Sequence, residues 1–346
     1  MIAFGWRQFR VQFLSMAALL VALTAVLVPT GVHAINLYDE NVLHCTSGLL
    51  CAQAQNRFGH RYVFLQDTLS LLTQLIPGAI GVFWGAPLVA RELESGTYRL
   101  AWTQGVSRSR WLLAKLGMAG LGAAAVGGLS SWVISWWYSP FDRFGMDRFD
   151  AGNFGERGIV AIGYALFAVT LGVALGVVVR RVLPAMALTL VGFIGVRIVV
   201  TLWVRRYFLP PAHEQLPLRQ AGGIGVDITP AGPQLVPGGA DIRNGWVYSG
   251  HIEHLDGSPL TPHQVAAACP SLLNPPPVGM HGHVARALGD PMGQCIRSLG
   301  SSVVERVTFQ PANRYWTFQW MELGLFVLLA AALSGFALWW VRRRLV

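Results

Sequence analysis

The segment Gly158 to Val179, GIVAIGYALFAVTLGVALGVVV, contains 22 residues and no charged side chain. An α-helix rises about 1.5 Å per residue and the hydrocarbon core of a bilayer is about 30 Å thick, so about 20 apolar residues can cross it. This segment therefore predicts a membrane-spanning helix. Five other stretches have similar length and character: Val11 to Val32, Thr68 to Ala90, Trp111 to Tyr138, Val182 to Val204 and Gln319 to Val341.

The composition of the chain agrees with a membrane environment. Charged residues make up 12% of its 346 residues, about half of the roughly 25% that is usual in soluble proteins. This composition excludes a disordered chain and an ordinary cytosolic enzyme. The net charge of +9 could indicate a nucleic-acid partner, but many of the basic residues flank apolar runs instead of forming one basic face. We interpret the charge as anchoring in a lipid bilayer and expect no nucleic-acid partner.

The distribution of arginines predicts the orientation of the spans, because short cytoplasmic loops retain Arg and Lys. With the N-terminus inside, the inner segments hold eleven arginines: Arg7, Arg10, Arg91, Arg99, Arg108, Arg110, Arg180, Arg181, Arg342, Arg343 and Arg344. The two short outer loops hold fewer arginines, accompanied by several carboxylates. We expect a multi-pass protein of the bacterial inner membrane with both termini in the cytoplasm.

The first span has an alternative interpretation as a secretory signal peptide, because two arginines precede it and residues 32–34 resemble a cleavage site. Its apolar run of about 20 residues exceeds the 7–15 residues of a signal core, which favours an uncleaved helix. Ahead of it, Ile2, Trp6 and Phe9 recur at helical spacing. Residues 1–10 are therefore expected to form an amphipathic helix in the inner interface.

The spans divide the rest of the chain into segments of different character. Residues 11–204 contain spans one to five, with an outer loop at 33–67 and an inner coupling loop at 91–110. Residues 205–318 form a separate extracytoplasmic domain, and residues 319–346 form the sixth span and a basic cytoplasmic tail. The sequence thus predicts an all-α polytopic membrane protein with six transmembrane helices and an inserted domain between the fifth and sixth.

The inserted domain is recognised by an abrupt change in composition, since it holds 14 of the 19 prolines. Its Pro-Pro, Pro-Gly and Asn-Gly pairs indicate many turns, so we expect a loop-rich fold with short strands and helices. Residues 245–250 and 302–309 alternate between apolar and polar side chains. This alternation predicts a strand in each segment.

The four cysteines all fall outside the membrane under this topology, where disulfides can form. Four cysteines allow three pairings. We favour Cys45 with Cys51 and Cys269 with Cys295, because each pair lies within one segment. A cross pairing between the first outer loop and the inserted domain remains open.

Motifs for catalysis and metal binding are lacking. The only lysine is Lys115, so the chain has no nucleotide-binding P-loop, and it has no Gly-x-Ser-x-Gly elbow. The pairs His251 with His254 and His281 with His283 do not match His-Glu-x-x-His on a helix. We expect a protein without its own catalytic site, resident cofactor or metal.

The inner loop between the second and third spans carries an informative motif. It contains an acidic pair, a Gly-Thr step, room for a short surface helix from Thr97 to Gln104 and a Ser-Arg step that could cap the third span. This pattern resembles the permease subunits of type-2 ABC exporters, especially those of actinobacteria, as do the six spans and the inserted domain. The matching residues are Glu92, Glu94, Gly96, Thr97, Ser107, Arg108 and Lys115.

The resemblance implies a homodimeric or paired permease that binds a separate ABC ATPase, with ATP and Mg held on that ATPase. The inner loop would be the coupling helix, with Glu92, Glu94 and Arg99 available to the partner, and an amphipathic or apolar substrate would move outward. The inserted domain is larger than the small helical cap common in this family. A membrane-anchored sensor or immunity protein with an extracytoplasmic ligand-binding domain is therefore the alternative, and a membrane-bound enzyme using the outer histidines is a second one.

Three charged residues lie within the predicted spans: Lys115 in the first turns of the third, Arg197 in the fifth and Glu322 in the sixth. A charge that faces lipid at this depth is costly. We expect Arg197 to form a structural ion pair with Glu322 or another outer carboxylate. Direct contact with substrate is the alternative.

The cysteine assignment makes the topology testable. Intact membranes prepared under oxidising conditions should show no free thiol on alkylation, and non-reducing mass mapping should find two bridges. Reaction of all four cysteines with the alkylating reagent would contradict the predicted sidedness.

Overall fold

The structure of the protein is a computed structural model. It describes the backbone of residues 2–40, 48–99, 107–142, 148–218, 224–238, 240, 242, 244–270 and 291–344. Side chains are described for the same residues except 2–13, 15, 16, 19, 48–52, 54–56 and 291–294. The chain divides into two compact units. The first comprises Met1–Leu209 with Tyr315–Val346, and the second comprises Pro210–Arg314.

The first unit is helical. Its elements are α1 (Ile2–Tyr38), α2 (Gly48–Ile80), α3 (Ala86–Ser95), α4 (Arg108–Trp137), α5 (Ser139–Asp142), α6 (Ala151–Glu156), α7 (Val160–Val179) and α8 (Val182–Val199). A π-helical turn, Gly81–Gly85, joins α2 to α3, and a second one, Val200–Val204, extends α8.

Six helical segments among the described residues are long and apolar enough to cross a membrane, which confirms the predicted number. They are Leu20–Tyr38, Arg57–Ser95, Arg108–Trp137, Val160–Val179, Val182–Tyr207 and Ala312–Arg344.

The first two helices extend beyond the predicted spans. The helix α1 runs without a break from Ile2, so no separate helix ends at residue 10. The helix α2 begins at Gly48, so most of the predicted outer loop 33–67 is helical. The charges in this loop mark a change in polarity, but residues such as Gln, Arg and Leu are good helix formers and do not end a helix.

The helix α7 lies at the centre of the first unit and is buried along most of its length. A Cβ atom added to Gly172 would lie 2.5 Å from the carbonyl oxygen of Gly81 and 2.6 Å from the amide nitrogen of Ala86. One added to Gly85 would lie 2.5 Å from the carbonyl oxygen of Val169. Glycines in the second and fourth spans therefore allow close packing of two helix backbones.

The second unit contains five strands and two short α-helices among its described residues. In chain order these are β1 (Ala212–Pro217), β2 (Ile224–Thr229), β3 (Gly232–Pro237), β4 (Trp246–His254), α9 (Pro262–Ala268), α10 (Pro291–Leu299) and β5 (Val303–Gln310). The order β1-β5-β4 forms an antiparallel sheet, and β2 with β3 forms a separate antiparallel pair. The two strands expected from the sequence correspond to β4 and β5. The chain then returns to the first unit in α11 (Tyr315–Arg344).

A disulfide between Cys269 and Cys295 confirms one predicted pairing. Both residues are buried in an apolar cluster that includes Leu235, Val265 and Val303. The other predicted pairing involves Cys45, which lies outside the described residues, so that bridge stays a prediction.

A buried carboxylate lies in the middle of the sheet. Glu305 on β5 is fully buried, and neither carboxylate oxygen has a hydrogen-bond partner among the described residues. The space beside it exists because Gly250 on β4 has no side chain, since a Cβ atom there would lie 2.4 Å from a Glu305 oxygen. Burial raises the pKa of Glu305 because the charged form loses its hydration.

The raised pKa of Glu305 makes the sheet sensitive to pH. Folding favours the protonated carboxyl, so this group's contribution to stability decreases as pH rises above its unfolded pKa of about 4.3. The variant Glu305→Gln should therefore slow hydrogen exchange in β5 at neutral pH and lose this advantage near pH 4, with both proteins compared at the same pH. The control Glu253→Gln removes the carboxylate that pairs with Arg306 and should give no protection. Equal exchange of wild type and Glu305→Gln at neutral pH would contradict the expectation.

Candidate functional site

The inner loop is described on both sides of residues 100–106. The helix α3 ends at Ser95 and is capped by Gly96, whose positive φ of 73° places it in the left-handed conformation that favours glycine. The hydroxyl of Ser107 accepts a hydrogen bond from the backbone N–H of Arg110 at 3.4 Å and caps α4, as the sequence predicted. Most of the expected surface helix Thr97–Gln104 lies outside the described residues.

The first carboxylate of the acidic pair is held within the helical unit. The Lys115 ammonium donates to Glu92 Oε1 at 2.5 Å and to the carbonyl oxygen of Leu88 at 3.0 Å. It also lies 4.8 Å from the centre of the Trp111 ring, a cation–π distance. Both charged side chains are largely buried. This pair therefore joins α3 to α4.

The second carboxylate of the acidic pair contacts another helix. Glu94 Oε2 accepts a hydrogen bond from the backbone N–H of Val182, the first residue of α8, at 3.0 Å. A carboxylate in this position satisfies an unpaired N–H and interacts favourably with the helix dipole. The two carboxylates thus connect the end of α3 to the starts of both α4 and α8, a pattern that the sequence did not reveal.

The remaining loop residues are nearer the surface. The hydroxyl of Thr97 lies 3.0 Å from that of Ser95. The guanidinium of Arg99 lies 5.9 Å from the centre of the Tyr98 ring and is exposed. Arg108 is partly exposed at the start of α4.

A buried ion pair lies deeper in the unit, but its members differ from those expected. Glu322 is fully buried and accepts hydrogen bonds from Arg205 at 2.7 and 3.1 Å. The hydroxyl of Tyr164 also donates to this carboxylate. The expected pairing of Arg197 with Glu322 is therefore wrong. The sequence placed Arg205 just beyond the fifth span, whereas the π-helical turn Val200–Val204 continues the helix and brings Arg205 inside.

Arg197 has a different environment from the ion pair. Its guanidinium carbon lies 3.7 Å from the centre of the Tyr164 ring. A Cβ atom added to Gly155 would lie 2.8 Å from one of its nitrogens, so the guanidinium packs closely against α6. In the described part of the chain no carboxylate pairs with Arg197.

Two carboxylates of the predicted outer loops are enclosed. Asp142 forms a salt bridge with Arg157 at 2.5 Å. Glu156 on α6 is buried and accepts hydrogen bonds from Ser70 at 2.5 Å and Gln74 at 3.2 Å. Burial raises the pKa of Glu156, although these hydrogen bonds oppose the shift. The contacts hold α6 against α2.

The fold and these contacts define a class of protein. It is a multi-pass membrane protein whose inner loop is joined to its helices by the carboxylates of Glu92 and Glu94. Among the described residues, no group of three or more His, Cys, Asp or Glu side chains could hold a metal ion.

The chain belongs to the ABC-2 membrane transporter related family, whose sequence model matches residues 17–205, more than half of the chain. This match confirms the resemblance to type-2 ABC permeases and identifies the protein as a membrane permease of an ABC transporter. The family implies a partnership with an ABC ATPase. No curated protein and no solved structure matches the chain.

The ion pair of Arg205 and Glu322 yields a stability prediction. The variant Glu322→Gln leaves Arg205 buried without a counter-charge, which typically costs about 3–5 kcal/mol. Assembled protein should therefore fall strongly, as measured by fluorescence-detected size-exclusion chromatography. The double variant Arg205→Met with Glu322→Gln removes both charges and should recover much of the loss.

A matched control for this pair is Arg148→Met. Arg148 pairs with Asp142, but its side chain is 40% exposed, and exposed pairs contribute only about 0–1 kcal/mol. The amount of assembled Arg148→Met protein should therefore be close to that of wild type. A double variant at Arg205 and Glu322 that assembles no better than the single variant would contradict the assigned pairing.

Proposed function

We propose that this permease exports an amphipathic or apolar substrate, driven by a separate ATPase that binds ATP and Mg. The observation that carries this proposal is the attachment of the inner loop. Glu92 and Glu94 join α3 to α4 and α8 within the family-matched part of the chain. A force applied to the inner loop would reach three spans through these contacts.

The coupling would depend on carboxylates that already have partners within the helical unit, and not on carboxylates left free for the ATPase. The ATPase would contact the exposed side of the inner loop, to which Thr97, Arg99 and Arg108 belong, and ATP binding would displace the loop. The Glu92–Lys115 pair would carry the displacement to α4, and the Glu94 contact would carry it to the start of α8. Removing either contact should weaken transmission without removing the ATPase surface.

We further propose that two permease chains assemble around the substrate path, with both termini in the cytoplasm and Pro210–Arg314 outside. The sidedness is supported by the arginines at the inner ends of the spans. The assembly of two permease chains is what the resemblance to type-2 ABC permeases implies.

A sensing or docking role for Pro210–Arg314 is a second candidate function. It is favoured by one observation, that this segment forms a compact unit of its own beyond the family match. Copurification distinguishes the two. A stoichiometric ATPase would support the transporter, and a bound ligand without an ATPase would support the sensor.

The coupling proposal can be tested without a known substrate. Alanine at Glu92 would leave Lys115 buried and unpaired, so the variant of choice is Glu92→Gln with Lys115→Met, which removes both charges. In wild-type complex, ATP should change hydrogen exchange at the starts of α4 and α8. In the variant the ATPase should remain bound, while the response at α4 should be lost and that at α8 retained.

The variant Glu94→Ala, which removes the acceptor of the Val182 N–H bond, gives the reciprocal result, with the response at α8 reduced and that at α4 retained. This contact is exposed to solvent, so we expect it to contribute about 0.5–1.5 kcal/mol and the α8 response to fall without being abolished. An unchanged ATP response in both variants would contradict the coupling route. Absence of any copurifying ATPase from wild type would contradict the proposed function itself.

A further inference from the structure

A groove lies between α2 and the α8 segment, with α6 at its rim. Its cavity volume is about 340 Å³, within the range of small-molecule sites. The groove is lined mainly by apolar side chains, including Leu71, Leu75, Phe193, Ile194, Ile198 and Leu202. Its polar lining consists of Gln74, Arg197 and Thr201, and includes no acidic side chain.

The groove faces outward from the helical unit. Leu71 is 64% exposed, and Leu75, Ile194, Ile198 and Leu202 are also exposed. These side chains belong to segments apolar enough to cross a membrane, so a molecule with a hydrocarbon chain could enter the groove laterally from the bilayer. The apolar lining suits such a chain.

Arg197 is the cation of this groove. The Tyr164 ring and the close contact at Gly155 fix the position of its guanidinium, but no carboxylate among the described residues pairs with it. The nearby Glu322 carboxylate is already engaged by Arg205. A guanidinium carries five N–H donors in a planar fork that matches carboxylate and phosphate oxygens. An unpaired intramembrane charge is costly, and such residues mark functional sites.

We propose that this groove binds an amphipathic anion, with the phosphate or carboxylate head on Arg197 and the hydrocarbon chain along Leu71, Leu75 and Ile198. Charge complementarity favours this occupant over a second copy of the chain, because an apolar protein face would bury the guanidinium without a counter-charge. Thr201 belongs to the same lining and its hydroxyl can donate to the head, whereas the amide N–H groups of Gln74 are engaged by Ser70 and Glu156. That the bound anion is also the exported molecule rests on the proposed function, whereas the binding itself does not.

The test uses the full chain purified in dodecyl maltoside, with dodecyl phosphate as the probe and native mass spectrometry as the measurement. The detergent has the same hydrocarbon chain and an uncharged head, so binding above its background reports the anionic head. The variant Arg197→Gln should weaken binding at least about tenfold, which corresponds to about 1.4 kcal/mol. The variant Arg197→Lys keeps the charge without the planar fork, so its affinity for the probe should lie between those of wild type and Arg197→Gln.

The matched control is Arg206→Gln, which removes one positive charge near the same end of the segment but does not line the groove. Its affinity should stay within about twofold of wild type, a change of about 0.4 kcal/mol. A second variant, Leu75→Trp, fills the groove while keeping Arg197 and should also weaken binding. Equal affinity in wild type, Arg197→Gln and Leu75→Trp would overturn the proposal, as would equal losses in Arg197→Gln and Arg206→Gln.

Two further measurements identify the occupant. A photo-crosslinking residue at Ile194 should form adducts with lipid or probe, and adducts with a second chain alone would overturn the proposal. Reconstitution in phosphatidylcholine with and without phosphatidylglycerol separates the two sources of the anion. If phosphatidylglycerol competes with the probe, the natural occupant is a membrane phospholipid. If it does not compete, the occupant is a single-chain anion. Either result supports the site. Neither assay contains ATPase, so a failure of the transport proposal would not alter these results.

Discussion

The packing of the helical unit depends on the backbone contact between α7 and the π-helical turn Gly81–Gly85. Apolar side chains gain little by leaving lipid for another helix, so membrane helices associate through close packing and polar contacts. Gly172 and Gly85 supply that packing, because a methyl group at either position would overlap the facing backbone. The contact fixes the position of α3, which follows the turn, and therefore the position of the inner loop.

The positions of the helices determine which charged residues of this unit form pairs. Lys115 and Glu92 meet because α3 packs near the start of α4, and Arg205 meets Glu322 because a π-helical turn extends the fifth helical segment. Each pair places two opposite charges in an environment where either alone would be costly. Arg197 differs from them, since an aromatic ring and a glycine hold it at the edge of an apolar groove. The two ion pairs therefore stabilise the fold, whereas the guanidinium of Arg197 is available to a ligand.

Several features could be predicted from the sequence because their causes are local. The six helical segments follow from runs of apolar residues, the cap of α4 follows from Ser107, and β5 follows from alternation in 302–309. The first two helices extend beyond the spans that were predicted, since a change in polarity was taken as the end of a helix. The partner of Glu322 was also predicted wrongly, because the choice between Arg197 and Arg205 depends on helical phase, and the π-helical turn changes that phase.

The sequence by itself determined that the protein crosses a membrane, that it carries a type-2 ABC permease motif and that it has a separate cysteine-containing domain. These properties depend on composition, hydrophobic length and motif, which are read along the chain. The tertiary structure alone decided that Glu92 and Glu94 are bound within the helical unit and that Arg197 lacks an acidic partner among the described residues. These properties depend on distances between helices far apart in sequence, and such distances are set by packing.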